Sequence, residues 1–148
     1  MLDFDLQVER FIAALGINRS LNTARAYRSD LRLLKLHLVL ARCPCVIPPR
    51  SKTAYTELEA ALEANDHKLS AVSNRLLDGF TVDLEAIRPD DLVGYFLFLK
   101  ETQGYAQTTI NRKIVAVRRF FQYLFKHRLL SDPSLVSDLE TKTIHRNE

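Results

Sequence analysis

Two stretches of this chain carry cations at spacings suited to gripping a phosphate backbone. On a helical wheel of about 100° per residue, Arg25, Arg28, Arg32 and Lys35 share an arc about 80° wide. Arg112, Arg119 and Lys126 recur at heptad spacing, drifting about 20° per step, with Thr108 on the same face. Such a row neutralises successive phosphates. The amides and hydroxyls beside it (Asn22, Thr23, Thr108, Thr109, Asn111, Gln122) are short donors to phosphates and base edges. Acids are nearly absent from both arcs, so the i,i+4 pairing that favours a purely structural surface is missing. Solvated helices also carry Lys and Arg, and the arcs by themselves leave both readings open.

No catalytic constellation accompanies them. The chain has no Gly-rich phosphate loop, no Gly-x-Ser-x-Gly elbow and no His-Glu-x-x-His. His37, His67, His127 and His145 share no motif and read as solvated side chains. Cys43 and Cys45 offer two thiolates where a structural zinc site needs four ligands, so they read as reduced loop thiols and no metal is expected.

The elements that must position the cations read as helices. Apolar spacing predicts a first helix over about Asp3–Leu15, closed by Gly16. A second opens at Ser20, an N-cap type, and runs to about Ala41, before Pro44, Pro48 and Pro49. Its buried stripe is Tyr27, Leu31, Leu34 and Leu38. A third starts at Pro89, with Asp90 and Asp91 at the positive end of its dipole, and runs to about Glu101. A fourth spans about Gln107–Arg128 on the stripe Ile110, Ile114, Val117, Phe121 and Leu124, with Asp132-Pro133 beyond. Between the second and third, residues 42–88 are too long for a structureless loop. One or two further helices are expected there, over Thr53–Ala64 and near Leu69–Leu77. Strand alternation is only hinted at, over Phe80–Leu84.

Composition agrees with a single core of about 148 residues, 47% hydrophobic and 26% charged. The net charge is only +3, but it is unevenly spread: +5 over residues 1–52, −6 over 53–101 and +4 over 102–148. The acidic start and the lack of a long apolar run point to a soluble, cytoplasmic protein with no membrane partner.

The run from Thr109 through Arg112-Lys113-Ile114-Val115-Ala116-Val117-Arg118-Arg119-Phe120-Phe121-Gln122-Tyr123-Leu124 to Asp132-Pro133 resembles the end of the core-binding domain of tyrosine recombinases. That family holds the phage integrases and the Xer-type resolvases. Ser20-x-x-Thr23-x-x-x-Tyr27-x-x-Asp30-Leu31 is similar to its opening pattern, and Ile87-Arg88-Pro89-Asp90-Asp91-Leu92-x-x-Tyr95 to its third-helix entry. The resemblance implies an all-α fold, a SAM-like orthogonal bundle of four to six helices. It implies a DNA-clamping domain over residues 1–133, with a helical insertion over about 42–86, and the start of a linker over 134–148. It further implies that the second and fourth helices face double-stranded DNA. The residues so assigned are Thr23, Arg25, Arg28, Arg32 and Lys35, with Thr108, Thr109, Arg112, Lys113 and Arg119.

The family's phosphodiester chemistry uses a tyrosine nucleophile in a separate C-terminal domain and no metal or cofactor. That domain is expected to be absent from this chain, which is therefore not an enzyme by itself. None of Tyr27, Tyr55, Tyr95, Tyr105 or Tyr123 is read as the nucleophile, and Tyr27 and Tyr123 read as packing residues. The catalytic domain and further copies on DNA, contacted through the first helix, are the other expected partners. Weak binding by the isolated domain is expected, since half of the clamp is missing. Two other readings stand beside this one. One is an all-α protein-interaction module using Phe120, Tyr123 and the acidic Glu57–Glu63 face. The other is a helix-turn-helix regulator, disfavoured because no short second helix follows a tight turn.

Overall fold

The computed structural model describes residues 1–16, 20–131 and 135. Six α-helices carry the described fold: α1 (Phe4–Gly16), α2 (Leu21–Leu40), α3 (Ala54–Ala64), α4 (Asn74–Asp78), α5 (Pro89–Glu101) and α6 (Gln107–Lys126). The class is all-α.

Local chemistry sets the helix ends. Ser20 caps α2, its Oγ accepting from the Thr23 amide at 3.2 Å. Pro89 opens α5, and the Asp91 carboxylate reaches back to accept from the Arg88 amide at 2.9 Å. Both basic helices stop by turning left-handed. Arg42 takes φ 53° and sends the Cys43 N–H to the Leu38 carbonyl at 3.1 Å. Arg128 takes φ 58°, and the Leu129 N–H reaches the Leu124 carbonyl at 2.9 Å. Thus α6 needs no proline to end. Asp132-Pro133 and the expected linker lie outside the described residues.

The α2–α5 connection is built into the core. Two two-residue strands, β1 (Val46–Ile47) and β2 (Thr81–Val82), pair antiparallel with Val46 opposite Val82. Their pairing ties the two ends of the segment together. A 3-10 turn at Leu69–Ala71 packs on α2. Leu58, Leu69, Phe80, Val82 and Leu84 are as buried as any residue of α2 or α6. The Leu84 amide donates to the Leu2 carbonyl at 2.9 Å, joining the segment to the chain start.

The aromatic centre of the core comes from the two ends of the chain. Phe120 meets Phe4 and Phe11 at ring-centroid distances of 5.6 and 5.5 Å, in edge or tilted contacts. Tyr123 and Tyr27 both pack against Phe11, at 5.4 and 6.0 Å. The second half of α2 is enclosed on every side, from Leu33 through Val39. That enclosure changes the sequence reading of its polar residues. His37 is buried between the Tyr95 and Phe98 rings, at 5.5 and 5.1 Å, rather than solvated. Burial lowers its pKa to about 4, against a smaller opposing pull from Asp91. His67 and His127 are exposed, and His145 lies outside the described residues.

Candidate nucleic-acid interface

The ten side chains singled out from the sequence do not form one surface. On α2, Arg25 is exposed and Arg28 is largely so; Arg32 is half-buried, and Lys35 is only 2% exposed. Lys35 Nζ lies 2.6 Å from the Asp5 carboxylate of α1. Arg28 forks onto Glu9 of α1, with Nε and Nη2 donating at 3.1 and 2.9 Å. Acids missing from the α2 arc are therefore supplied by α1, across the helix pair. Arg32 Nε donates to the side-chain oxygen of Asn74 in α4. Thr23 is half-buried and shares a hydroxyl contact with Ser20 at 2.9 Å.

On α6 the cations divide again. Lys113 is 4% exposed, and its Nζ donates to Asp30 Oδ1 at 2.7 Å. Neither Lys35 nor Lys113 presents its ammonium to solvent, and each holds a carboxylate across a helix interface. Sequence spacing put Lys35 on the α2 arc, and the family resemblance assigned Lys113 to the DNA-facing set of the fourth helix. Tertiary packing turns them inward. Arg112 and Arg119 are exposed, Thr108 is exposed and Thr109 half-buried. Arg112 Nη2 stands 3.6 Å from the same Asp30 Oδ1. From Gln107 to Ser131 the sequence holds no acid at all, so the outward side of α6 is cationic along its length.

Asp30 is the hinge point of this geometry. The residue is 2% exposed, Lys113 and Arg112 both address Oδ1, and Oδ2 has no hydrogen-bond partner among the described residues. Around the α2 wheel Asp30 lies about 140–160° from Arg25, Arg28, Arg32 and Lys35. The side of α2 that meets α6 is thus nearly opposite its own cationic arc. Nothing in the sequence marks this, because the register of one helix against another depends on the whole core.

The remaining chemistry is structural. Cys45 is buried and Cys43 half-buried, both with free thiols. Burial pushes them up to about 12 and about 11, so neither is a thiolate at neutral pH. No cluster of three or more metal-ligating side chains occurs among the described residues. Tyr95 is fully buried, with its hydroxyl 3.5 Å from the Asp30 carbonyl, and burial raises its pKa. Phe120 is also fully buried, which removes it as an exposed anchor for a protein partner. No described helix is long and apolar enough to cross a membrane.

The family described as phage integrase, N-terminal SAM-like domain, matches residues 59–128. That match covers just under half of the chain. The match starts within α3 and takes in α4, α5 and α6, including the cationic side of α6. It also takes in the second half of the stretch that the sequence reading sets aside as an insertion. An 87-residue stretch is 32% identical to a tyrosine recombinase XerC from Herpetosiphon aurantiacus, covering 55% of this chain. The alignment spans only 28% of that relative. No solved structure matches the chain significantly. Residues 59–128 are thus similar to the N-terminal SAM-like domain of phage integrases, and the matched relative is a tyrosine recombinase.

Proposed function

We propose that this chain is the DNA-gripping N-terminal part of a site-specific tyrosine recombinase. The carrying observation is that the SAM-like match includes α6, an acid-free helix whose outward side exposes Arg112 and Arg119. Its inward side is fixed by Ile110, Ile114, Val117, Phe121 and Leu124, all buried. A helix held this way presents its cations at fixed spacing, and little ordering entropy is left to oppose phosphate contact. The proposed gripping set is Thr108, Thr109, Arg112 and Arg119, with Thr23 on the neighbouring side of α2. Asp30 lowers the net charge beside Arg112 but leaves most of its guanidinium outward, since the pair stands at 3.6 Å and the arginine side chain is 56% exposed.

In this reading the chain supplies one jaw of a clamp on duplex DNA. Strand cleavage and rejoining belong to a catalytic domain elsewhere in the full protein. The work takes place in the cytoplasm, on DNA, with further copies of the protein. Phosphate contacts of this kind make log affinity fall with log salt at about 0.9 per phosphate neutralised. Fluorescence anisotropy with a 30-base-pair duplex tests it: Arg112→Ala/Arg119→Ala is expected to flatten the slope by about 1.8. An unchanged slope, or no binding by the folded wild type at low salt, would remove the reading and favour a protein partner.

A further inference from the structure

On the opposite side of α2 from α6, an open cleft of about 750 Å³ lies between α1, α2 and the 70–78 segment. Four cations line it, and two are neutralised in place: Lys35 by Asp5 and Arg28 by Glu9. The other two are Arg25 and Arg32, with no carboxylate in ion-pair range among the described residues. Arg25 is exposed at the rim. Arg32 is half-buried with a neutral partner, the Asn74 amide oxygen, on its Nε, which leaves its terminal nitrogens to donate. Burial lowers the Arg32 pKa against a weaker pull from Asp78, the one cleft acid without an ion-pair partner.

The facing wall carries hydroxyls. Ser70 and Ser73 line it from the 70–78 segment, and Ser29 from α2. Ser73 Oγ accepts from the Arg75 amide at 3.2 Å, so its own O–H remains to donate outward. A partly desolvated guanidinium whose nearby carboxylate, Asp78, stays outside ion-pair range is costly unless an anion completes it. The donors approach from two walls. A planar carboxylate satisfies one fork, whereas a tetrahedral anion directs oxygens to both.

We propose that this cleft is a phosphate-binding site, with Arg32 and Arg25 as its cations and Ser29, Ser70 and Ser73 as its hydroxyl donors. Glu9 tunes it by holding Arg28: a bound phosphate competes for that third guanidinium. The site lies on a different side of α2 from the duplex-gripping face of α6, and it stands whether or not that face binds DNA. Its phosphate is either a nucleic-acid backbone group or a free phosphorylated molecule, and the chemistry required of the cleft is the same.

The probe is inorganic pyrophosphate, titrated into the full chain at constant ionic strength and followed by calorimetry and by thermal melting. Saturable binding with a rise in Tm is expected for the wild type and for Arg112→Ala/Arg119→Ala. Arg32→Gln is expected to weaken it about tenfold, the loss of one charge-assisted contact. Arg25→Glu, at an exposed rim position that leaves folding intact, is expected to weaken it at least as much. Glu9→Gln is expected to tighten it several-fold. No saturable binding by the wild type, or equal binding by the wild type, Arg25→Glu and Arg32→Gln, would overturn the assignment. With the site present, a duplex that displaces pyrophosphate from Arg112→Ala/Arg119→Ala identifies the backbone as the source. Failure to displace it identifies a free phosphate. The pyrophosphate readout uses no duplex, so it fails independently of the gripping reading.

Discussion

The Lys113–Asp30 pair joins α6 to α2, and its removal gives a magnitude that the geometry fixes. The two side chains are 5% and 3% exposed, with Nζ 2.7 Å from Oδ1. Surface ion pairs contribute about 0–1 kcal/mol, but breaking a buried pair from one side costs about 3–5 kcal/mol, because the other charge stays in the interior. Among the described residues Asp30 is already short of partners, with Oδ2 unbonded and Arg112 the only other cation in ion-pair range, at 3.6 Å. Lys113→Met keeps the length of the side chain and leaves a buried carboxylate facing a thioether. It is expected to cost about 3 kcal/mol, toward the low end because Arg112 closes in as a substitute. For a chain of this size that is a fall in Tm of about 6–12 °C. Asp30→Leu/Lys113→Met removes both charges and is expected to recover most of the loss. The assay is urea unfolding followed by circular dichroism, with the double-mutant cycle giving the coupling. A cost below about 1 kcal/mol for Lys113→Met, or a double variant no better than the single, would refute the argument that this lysine is interior and structural.

Other outcomes follow from the same coordinates. His37 has a folded pKa of about 4, below its unfolded value of about 6.5, so the unfolded chain binds the extra proton first. Its contribution is full above pH 6.5 and is lost as pH falls toward 4, about 2 kcal/mol by pH 5. Urea midpoints between pH 8 and 5 are expected to drop less in His37→Phe than in the wild type. Gly104 has φ 66° with open space around its Cβ position, so Gly104→Ala should cost about 1–2 kcal/mol from backbone conformation alone. A Tm unchanged within 1 °C, on the order of 0.3 kcal/mol, would contradict it. Phe120→Ala empties the aromatic centre shared with Phe4, Phe11 and Phe121 and is expected to cost about 3–5 kcal/mol by denaturant titration. The Cys45 thiol, buried and pushed up to about 12, should react with a disulfide reagent at pH 7.4 only as fast as the chain opens. Labelling as rapid as that of a small-molecule thiol would show it to be accessible.

What the sequence determined is what depends on neighbours along the chain. The helix spans of α1, α2, α5 and α6 follow from apolar spacing, the Ser20 cap, Pro89 and the turn residues, all local effects. The same holds for the outward position of Arg112 and Arg119, because the stripe from Ile110 to Leu124 leaves them only one side. Family resemblance was legible for the same reason, since its motifs lie on those helix faces.

Tertiary structure decided everything that needs two elements at once. A wheel predicts one buried stripe, but the second half of α2 is covered on all sides, by α1, by α5, by α6 and by the Leu69–Ala71 turn. Lys35 and His37 are interior for that reason, and no periodicity within α2 records it. Lys113 turned from a phosphate ligand into the partner of Asp30 because the two helices cross there, 83 residues apart in sequence. Residues 42–86 looked like an insertion because they exceed the short connection of the family pattern that the chain resembles. Nothing along the chain shows where their apolar residues pack. Their burial depends on β1 meeting β2 and on Leu2 bonding to Leu84, contacts between residues distant in sequence. The separation of the two cationic arcs is of the same kind. Each arc is a property of one helix, but the angle between them is set by which side of α2 the core requires α6 to fill.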